Sequence, residues 1–376
     1  MTTTTRYGLI GCGMMGQEHL RNIALLPDAE VTAIFEPNSA MAAAAKGIAP
    51  HAQMMPGIEA LLSFEGLDCL LIASPNHAHV PQLEMLARHR PLPVLVEKPL
   101  FIDQHELSQL EQLIETYPAP VWVAMEYRYM PPIAAFLSKL KDATGGIKML
   151  TIREHRFPFL HKVDAWNRFN SQTGGTFVEK CCHFFDLMRV AIGAEPVRVM
   201  ASGGQDVNHR DEEIGGQRPD VFDNGFVIVD FDNGARAMLD LCMFAEGSRY
   251  QEELSAVGAT GKIEAFVPGP ARFWPEDLGA PPVPQVVVSP RQPKGPMREE
   301  IPVDPTILDA GDHNGSTFYQ HQKFLELVRG ERTAPEVSLE DGKRAALMGI
   351  AAQRSIDEKR AVEMSEFQDS PALAGS

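Results

Sequence analysis

Three glycines near the amino terminus are spaced to bind a phosphate group. They stand in the segment Gly11-Cys12-Gly13-Met14-Met15-Gly16, which fits the pattern G-x-G-x-x-G, after an apolar run at residues 7–10 and before a helical pattern. In that context the first glycine permits a tight turn, the second lets the backbone approach a pyrophosphate, and the third lets helix and strand pack closely. The helix that follows offers unpaired N–H groups to the anion. The segment therefore predicts a dinucleotide site at Gly11, Gly13, Met14, Met15 and Gly16.

A carboxylate follows at the position where such a site binds the adenosine ribose. Glu36 ends a second apolar run, residues 31–35, and stands 20 residues after Gly16. A carboxylate there accepts hydrogen bonds from the ribose hydroxyls and repels a 2′-phosphate. We therefore predict that the cofactor is NAD rather than NADP.

The elements around these residues predict a parallel sheet. Further strand-sized apolar runs at residues 69–73, 94–97 and 121–124 alternate with helical patterns at 78–90 and 103–117. This alternation is typical of βαβ units in a doubly wound sheet. We expect a Rossmann domain in residues 1–126 and a second domain in residues 127–376.

The second half has a different pattern. A strand at 148–156 and a helical stretch at 175–192 precede two hairpin patterns, 226–231 with 235–244 and 253–257 with 262–266. Strands that run together predict an α/β domain with a large open, mainly antiparallel sheet. Eleven prolines between Pro268 and Pro305 exclude a long helix or a central strand there, and leave one edge strand at 285–288. Helices are expected at 132–141, 316–329 and 339–358, the last packing back on the Rossmann domain.

Three further segments contain side chains suited to proton transfer. Ser74-Pro75-Asn76-His77-Ala78-His79 and Glu97-Lys98-Pro99 each follow or end a predicted strand, and a stretch opened by Gly174-Gly175 ends in Glu179-Lys180-Cys181-Cys182-His183-Phe184-Phe185-Asp186. In this order and spacing, after the glycine motif, they resemble the glucose–fructose oxidoreductase / inositol dehydrogenase family (Gfo/Idh/MocA) over nearly the whole chain. The resemblance implies a substrate site between the two domains. It also implies an open sheet that supports homodimers or homotetramers.

The resemblance also implies roles for individual residues. The family's catalytic lysine falls on Lys98 and its catalytic histidine on His183, whereas its usual aspartate, four residues before the histidine, is replaced by Glu179. Cofactor contacts are expected from Ser74, Asn76, His79, Glu97 and Lys98. For His79 a structural or helix-capping role is the alternative.

These residue types suit the oxidation of a secondary alcohol. A histidine, whose pKa lies near neutrality, can accept the hydroxyl proton as hydride leaves for nicotinamide, so His183 is the expected general base. Lys98, at the carboxyl end of a parallel strand, can bind the reacting oxygen. Glu179 and His183 are i and i+4, so on a helix they share a face, and Glu179 is expected to orient the imidazole.

Four arginines and a tryptophan precede or surround this helical stretch. Arg153 and Arg156 are three apart on a predicted strand and point to opposite faces; Arg128 and Arg168 flank them. Together with the flat ring of Trp166 they favour a pyranose or cyclitol, and an anionic substituent is one hypothesis, against surface ion pairs as the alternative. The substrate contacts are assigned to Lys98, Arg128, Arg156, Trp166, His183 and Asp186, with bracing of the helix an equal alternative for Asp186.

The net charge and the cysteine content limit which binding partners and which cellular compartment fit the chain. Basic residues number 34 and acidic residues 50, and the resulting charge of −16 disfavours nucleic acid and anionic membranes. The five cysteines, an odd number, fit reduced thiols in the cytoplasm, and the amino terminus has no apolar signal-peptide region. Cys181, Cys182 and His183 lack a second pair of ligands that would complete a zinc site, so no metal is expected.

The sequence therefore predicts a cytoplasmic, NAD-dependent oxidoreductase that acts on a hydroxyl of a sugar or cyclitol. Two alternatives stay open at this level. One is a glycosidase that retains NAD and works by transient oxidation and elimination, and the other is a non-enzymatic NAD sensor.

Overall fold

The computed structural model describes residues 4–367. Its first sheet has six parallel strands in the order β3-β2-β1-β4-β5-β6, which is the doubly wound Rossmann order and confirms the predicted fold. The strands are β1 Thr5–Ile10, β2 Ala29–Phe35, β3 Gln53–Met54, β4 Cys69–Ile72, β5 Val94–Val96 and β6 Val121–Val123. Strand β3, with only two residues, is too short to leave an apolar pattern and was not predicted.

The sheet is buried on both faces, which explains its unbroken apolar runs. Every residue of β4, β5 and β6 is buried, as expected for parallel strands that are covered by helices on each side. The helices of this half are α1 Met14–Ile23, α2 Ser39–Ile48, α3 Ile58–Leu62, α4 His79–His89 and α5 Leu107–Thr116. The strand order reverses between β1 and β4, so a crevice opens beyond their carboxyl ends.

The second sheet has nine strands in the order β14-β13-β12-β11-β7-β10-β9-β8-β15. Its strands are β7 Ile147–His155, β8 Pro196–Gly204, β9 Asn224–Phe231, β10 Arg236–Cys242, β11 Glu252–Gly258, β12 Gly261–Val267, β13 Gln285–Pro290, β14 Met297–Glu300 and β15 Val362–Glu363. Strands β7 and β10 pair in parallel and the other described pairs are antiparallel. The expected large, mainly antiparallel sheet is confirmed.

The remaining described helices belong to the second half of the chain, and some of them pack against this sheet. They are α6 Pro131–Thr144, α7 Asn170–Thr173, α8 Thr176–Glu179, α9 Cys182–Ile192, α10 Pro305–Asp309, α11 Ser316–Val328 and α12 Leu339–Glu358. Helix α12 lies against β8 and also reaches the first sheet, because a Cβ on Gly342 would stand 2.9 Å from a methyl group of Val123. None of the helices within residues 4–367 has the length and apolar character that crossing a bilayer requires.

Two local predictions were wrong. Strand β13 is not an edge strand, because it pairs with β12 on one side and with β14 on the other. The prolines end β13 instead of interrupting it, and β14 is exposed throughout, so it lacks the apolar alternation that would have revealed it. The predicted single helix at 175–192 is broken between α8 and α9, where the carbonyl of Thr176 accepts hydrogen bonds from the N–H groups of both Lys180 (3.0 Å) and Cys181 (3.3 Å).

Candidate active site

The glycine turn between β1 and α1 has the shape that a pyrophosphate requires. Gly11 has a φ of +88°, and a Cβ there would lie 2.7 Å from the backbone nitrogen of Ser74. A Cβ on Gly16 would lie 2.4 Å from the carbonyl oxygen of Gly11, so only glycine lets α1 pack this closely on the turn. Gly13 faces open space and its helix has no side-chain cap, which leaves backbone N–H groups free for an anion.

A cavity of about 1110 Å³ lies beside this turn, beyond the carboxyl ends of the parallel strands. It is large enough for a dinucleotide, and one wall is formed by segments from both halves of the chain. Of the residues predicted to contact the cofactor, the cavity is lined by Gly11, Gly13, Met14, Met15, Glu36, Ser74, Asn76, Glu97 and Lys98. Gly16 lies beneath the turn and acts through packing.

Glu36 is held at the edge of this cavity by backbone donors. Its carboxylate accepts hydrogen bonds from the N–H of Cys12 at 2.6 Å and from the N–H of Asn38 at 2.8 Å. The side chain thus links the glycine turn to the loop after β2, and its position at a strand end is the one that ribose recognition uses.

Asn76 presents an unused donor to the same cavity. Its side-chain nitrogen is buried and has no hydrogen-bond partner within the described residues. A buried polar group without a partner costs roughly 1–3 kcal/mol, so such a group is usually satisfied by a ligand or water. The amide nitrogen fits the carbonyl oxygen of a nicotinamide. The residues on these walls therefore suit NAD.

His79 does not belong to the cofactor site, contrary to the sequence-based assignment. The ring is buried, with Nδ1 2.8 Å from the carbonyl oxygen of Pro99 and Nε2 3.0 Å from that of Ser74. Burial lowers the pKa of His79, although both carbonyl contacts act in the opposite direction. The side chain ties the Ser74 loop to the segment after β5, which is the structural alternative.

Lys98 borders both this cavity and a second one, and its ammonium group has N–H donors that are not used within the described chain. Its ammonium group donates one hydrogen bond, to the carbonyl oxygen of Glu179 at 3.0 Å. Burial opposes the charged form, but the negative potentials of Cys182, Glu97 and Glu179 outweigh it, so the pKa of Lys98 is raised. The side chain is thus a permanent cation with further N–H groups available to a ligand oxygen.

A buried chain of polar side chains, which the sequence did not reveal, fixes Glu97 next to this lysine. Glu97 accepts a hydrogen bond from His19 at 2.9 Å, the other nitrogen of His19 lies 2.9 Å from His321, and His321 lies 3.4 Å from the hydroxyl of Tyr7. The second oxygen of Glu97 accepts the backbone N–H of Lys98 at 3.2 Å. Helix α11 is joined to the first sheet through these contacts.

His183 borders a second cavity of about 660 Å³, which it shares with Lys98. Its ring stacks on Tyr127 with centroids 4.1 Å apart and planes 8° from parallel. Its Nδ1 atom is buried and has no hydrogen-bond partner among the described residues. Burial, followed by the charges of Lys98 and Lys180, lowers the pKa of His183 well below its ordinary value. The imidazole is therefore neutral at physiological pH and is able to accept a proton.

Within the described residues His183 donates no hydrogen bond to the carboxylate of Glu179, so the expected orienting contact is not present. The break between α8 and α9 removes the regular i, i+4 geometry on which that expectation depended. One carboxylate oxygen of Glu179 instead accepts a hydrogen bond from Lys162 at 2.9 Å, and the other has no partner within the described chain.

Two predicted substrate contacts are instead partners of each other. Arg128 and Asp186 form a bidentate pair with distances of 2.6 and 2.5 Å, and the remaining Arg128 nitrogen donates to the carbonyl of Glu336. Neither side chain lines the cavity of His183. In the described structure Asp186 pairs with Arg128 and lies away from this cavity, which favours the bracing role that was the equal alternative.

The other arginines and the tryptophan are also distributed differently from the expectation. Only Arg156 of the four arginines borders the cavity of His183. Arg153 pairs with Asp240 and Arg168 with Glu212. Trp166 lines the nucleotide cavity, not the second one, and the ammonium of Lys162 lies 4.3 Å from its ring centre.

Lys180 belongs to a buried charged cluster that sequence reasoning missed. Its ammonium lies 2.9 Å from Glu154 and donates to the hydroxyl of Tyr127 at 2.5 Å. Burial and the nearby Glu154 charge raise the pKa of Glu252 to about 7. Burial and the charge of Arg156 lower the pKa of Lys180.

A second missed cluster joins distant parts of the chain on the same cavity wall. Glu18 accepts hydrogen bonds from His313 at 2.8 Å and from Thr317 at 3.0 Å, and Glu126 lies 3.5 Å from His313. Two carboxylates and an imidazole are also a ligand set for a divalent cation. Here the groups are satisfied by one another and by Thr317, so the geometry is that of a buried ion pair.

Two family models match most of the chain. Residues 5–125 match the model described as an oxidoreductase-family NAD-binding Rossmann fold, and residues 141–364 match the oxidoreductase-family C-terminal alpha/beta domain. Both belong to the Gfo/Idh/MocA family.

Individual relatives and solved structures agree with these matches. An inositol 2-dehydrogenase of Rhizobium meliloti (strain 1021) is 25% identical over 364 residues, covering 96% of this chain and 99% of that protein. An inositol 2-dehydrogenase of Leifsonia xyli subsp. xyli is 37% identical over 279 residues, covering 73% and 77%. A structure of scyllo-inositol dehydrogenase from Lactobacillus casei, with bound NAD(H) and scyllo-inositol, shares the fold with a TM-score of 0.74, at 17% identity over 96% of this chain and 100% of that one. The chain belongs to the Gfo/Idh/MocA family of oxidoreductases and has an NAD-binding Rossmann domain at its amino terminus.

Proposed function

We propose that the protein is an NAD-dependent dehydrogenase of a secondary hydroxyl on a sugar or cyclitol ring. One observation carries the proposal: the ammonium of Lys98 lies on the walls of both the nucleotide cavity and the cavity of His183. A ring held in the second cavity would thus meet the cofactor at this lysine. The inositol dehydrogenases among the relatives support a cyclitol or sugar as the substrate.

In this proposal the two catalytic residues divide the work on the hydroxyl group. NAD, when bound, supplies the hydride acceptor. Lys98, as a permanent cation, holds the reacting oxygen and stabilises its developing negative charge. His183, neutral because its pKa is lowered, accepts the hydroxyl proton. Glu179 acts indirectly, since its carbonyl oxygen aims Lys98 and its carboxylate holds Lys162.

A substrate panel with two variants tests this assignment. We expect NADH formation from NAD with at least one member of a set of inositols and hexoses. Lys98→Met should lower kcat by about 10²–10³-fold, as for removal of one oxyanion donor, and His183→Gln by about 10²–10⁴-fold, while calorimetry still detects NAD binding. Lys139→Met is the matched control, because Lys139 is half-exposed and pairs with Glu299 on the surface.

Two results would contradict the proposal. Absence of NADH with every polyol would exclude a dehydrogenase of this class. Release of nitrophenol from nitrophenyl glycosides without net NADH would indicate the hydrolytic route instead. A normal kcat in either variant would remove that residue from the mechanism.

We further propose that the protein forms homo-oligomers through the open face of its second sheet. Strands β7–β9 and β11 expose apolar side chains on that face, with Arg236 of β10 between them, and exposed apolar side chains grouped on one face often mark a protein interface. They are Met149, Met200, Phe226, Ile228 and Val257, which are 36–56% exposed. The expected size is a dimer or tetramer by light scattering, and Ile228→Lys should shift it toward the monomer.

The free cysteine thiols of the chain are consistent with a reducing cellular compartment. Each of the five cysteines falls within residues 4–367 and none is bridged to another. We therefore propose the cytoplasm as its location.

A further inference from the structure

The cavity of His183 is larger than a single sugar or cyclitol ring requires. A hexose or inositol has about twelve non-hydrogen atoms, which fill at most about 360 Å³ at the roughly 30 Å³ that a water occupies in the liquid. The cavity measures about 660 Å³. Space is therefore left beside the reacting ring, and the part of it next to Met14, Met15 and Lys98 adjoins the nucleotide cavity.

The remaining space is bordered by apolar side chains from the proline-rich segment. Val283 and Phe157 contribute to this wall, and the prolines present rigid rings that expose no backbone N–H. The prolines on the wall are Pro268, Pro270, Pro281, Pro282, Pro284 and Pro302. We call this set, with Val283 and Phe157, the proline wall.

The polar and apolar groups of the cavity differ in how far they are exposed to solvent. His183 is 2% exposed, whereas Val283 on the proline wall is 39% exposed. Phe157 contacts Phe273, which is 41% exposed, with ring centroids 4.5 Å apart. The proton-transfer groups thus lie at the deep end and the apolar groups at the mouth, so a substrate enters with its hydroxylated ring first.

Two arginines that border this cavity are paired with carboxylates, whereas a third, Arg21, is exposed and donates to the carbonyl oxygen of Ala310. The guanidinium of Arg272 lies 4.0 Å from the ring centre of Phe273 and pairs with Asp312 at 2.8 Å. Arg156 lies 4.3 Å from the ring centre of Phe157 and 3.6 Å from Glu154. Both guanidinium groups lie within cation–π distance of an aromatic ring, so the wall combines aromatic side chains with arginines.

We propose that the substrate is a glycoside with an aromatic aglycone, its sugar ring at Lys98 and His183 and its aglycone against the proline wall. The inference rests on the proposed dehydrogenase function and specifies its substrate class. A ring hydroxyl loses its proton to His183 and its carbon loses a hydride to NAD, which gives a ketone, NADH and one proton. The glycosidic bond stays intact.

Matched pairs of methyl and phenyl glycosides of the common hexopyranoses test this proposal, with myo-inositol as the reference. We expect kcat/KM for NAD reduction to be about tenfold or more higher with the phenyl member, because its ring leaves water for an apolar wall. Methyl glycosides or myo-inositol reacting as well as phenyl glycosides would overturn the aglycone proposal and leave the dehydrogenase function standing. No NADH from any compound would overturn the dehydrogenase function itself.

Substitutions on the wall locate the aglycone. Val283→Ser and Phe157→Ser should each lower the phenyl-to-methyl ratio of kcat/KM. Folding is not at risk, since Val283 is exposed and Phe157 lies outside the buried core. Val207→Ser is the control, because Val207 is 56% exposed and does not border the cavity. An unchanged ratio in both wall variants would place the aromatic ring elsewhere and overturn the proposal.

Discussion

The pair Arg128–Asp186 offers a sharp test of the difference between bracing and substrate contact. Both carboxylate oxygens of Asp186 accept hydrogen bonds from the guanidinium, and the two side chains are 1% and 11% exposed for Asp186 and Arg128. The substitution Asp186→Asn keeps the volume and removes the charge. Arg128 is then left buried without a carboxylate partner, and its acceptors are the carbonyl oxygen of Glu336 and the one amide oxygen that remains at position 186.

The expected cost follows from the burial of both charges. Their attraction is worth about 4 kcal/mol at about 4 Å with an effective dielectric constant near 20. Burial raises the pKa of Asp186 by more than Arg128 lowers it, so ionising this carboxyl is harder in the folded chain than in the unfolded one. The pKa of Arg128 is also raised, because its contacts with Asp186 outweigh its burial, so the two partners give opposite indications of the pair's net contribution to stability. Breaking one half should cost roughly 3–5 kcal/mol, because it leaves an uncompensated buried charge.

Urea unfolding followed by circular dichroism measures this cost. We expect Asp186→Asn to lose about 3–5 kcal/mol of unfolding free energy, and the double variant Arg128→Met/Asp186→Leu to regain most of it. The control Arg6→Met breaks the exposed pair with Asp68, whose side chains are 45% and 36% exposed, and should cost less than about 1 kcal/mol. Wild-type stability of Asp186→Asn together with a raised KM would refute the bracing role and restore the substrate contact.

Two further predictions concern the cofactor and the proton. Glu36→Ser removes the carboxylate that would repel a 2′-phosphate. The ratio of kcat/KM for NADP to that for NAD should therefore rise by about tenfold or more. An unchanged ratio would show that Glu36 does not contact the ribose. Because the pKa of His183 is lowered and that of Lys98 raised, kcat/KM should stay level through neutral pH and fall only well below about pH 6.5, where an ordinary histidine would already be protonated. An acid limb centred at that ordinary value would contradict the buried, neutral imidazole.

The fold could be predicted where local patterns determine it. Buried parallel strands read as unbroken apolar runs, and the turn at Asp232-Asn233-Gly234 joins β9 and β10 as expected. Asp103 and Glu106 form a capping box at the start of the helical pattern predicted at 103–117. Strands β3 and β14 escaped because one has two residues and the other exposes every side chain, so neither carries periodic burial.

In the candidate site, too, the residues that could be predicted are those that a local sequence pattern or the family resemblance marks. The glycine motif and Glu36 follow from local patterns and Lys98 from the family resemblance, and all of them border the nucleotide cavity except Gly16, which lies beneath the turn. The contacts of Glu18 with His313 join residues 295 positions apart, and no local pattern records such a pairing. The arginines were misjudged for a related reason, since whether a guanidinium faces a cavity or a carboxylate depends on where the tertiary fold places the acid.

The orientation of His183 shows how one local irregularity changes the chemistry around a recognisable residue. A regular helix would have placed the carboxylate of Glu179 beside the imidazole, but the widened turn at Lys180 and Cys181 directs it to Lys162. The ring plane is held instead by stacking on Tyr127, whose hydroxyl accepts a hydrogen bond from Lys180. A stacked ring offers no negative charge, so nothing offsets the burial and the cationic neighbours that keep His183 neutral. The break in the helix therefore leaves His183 more dependent on a bound hydroxyl group as its hydrogen-bond donor than the predicted carboxylate–imidazole pair would have left it.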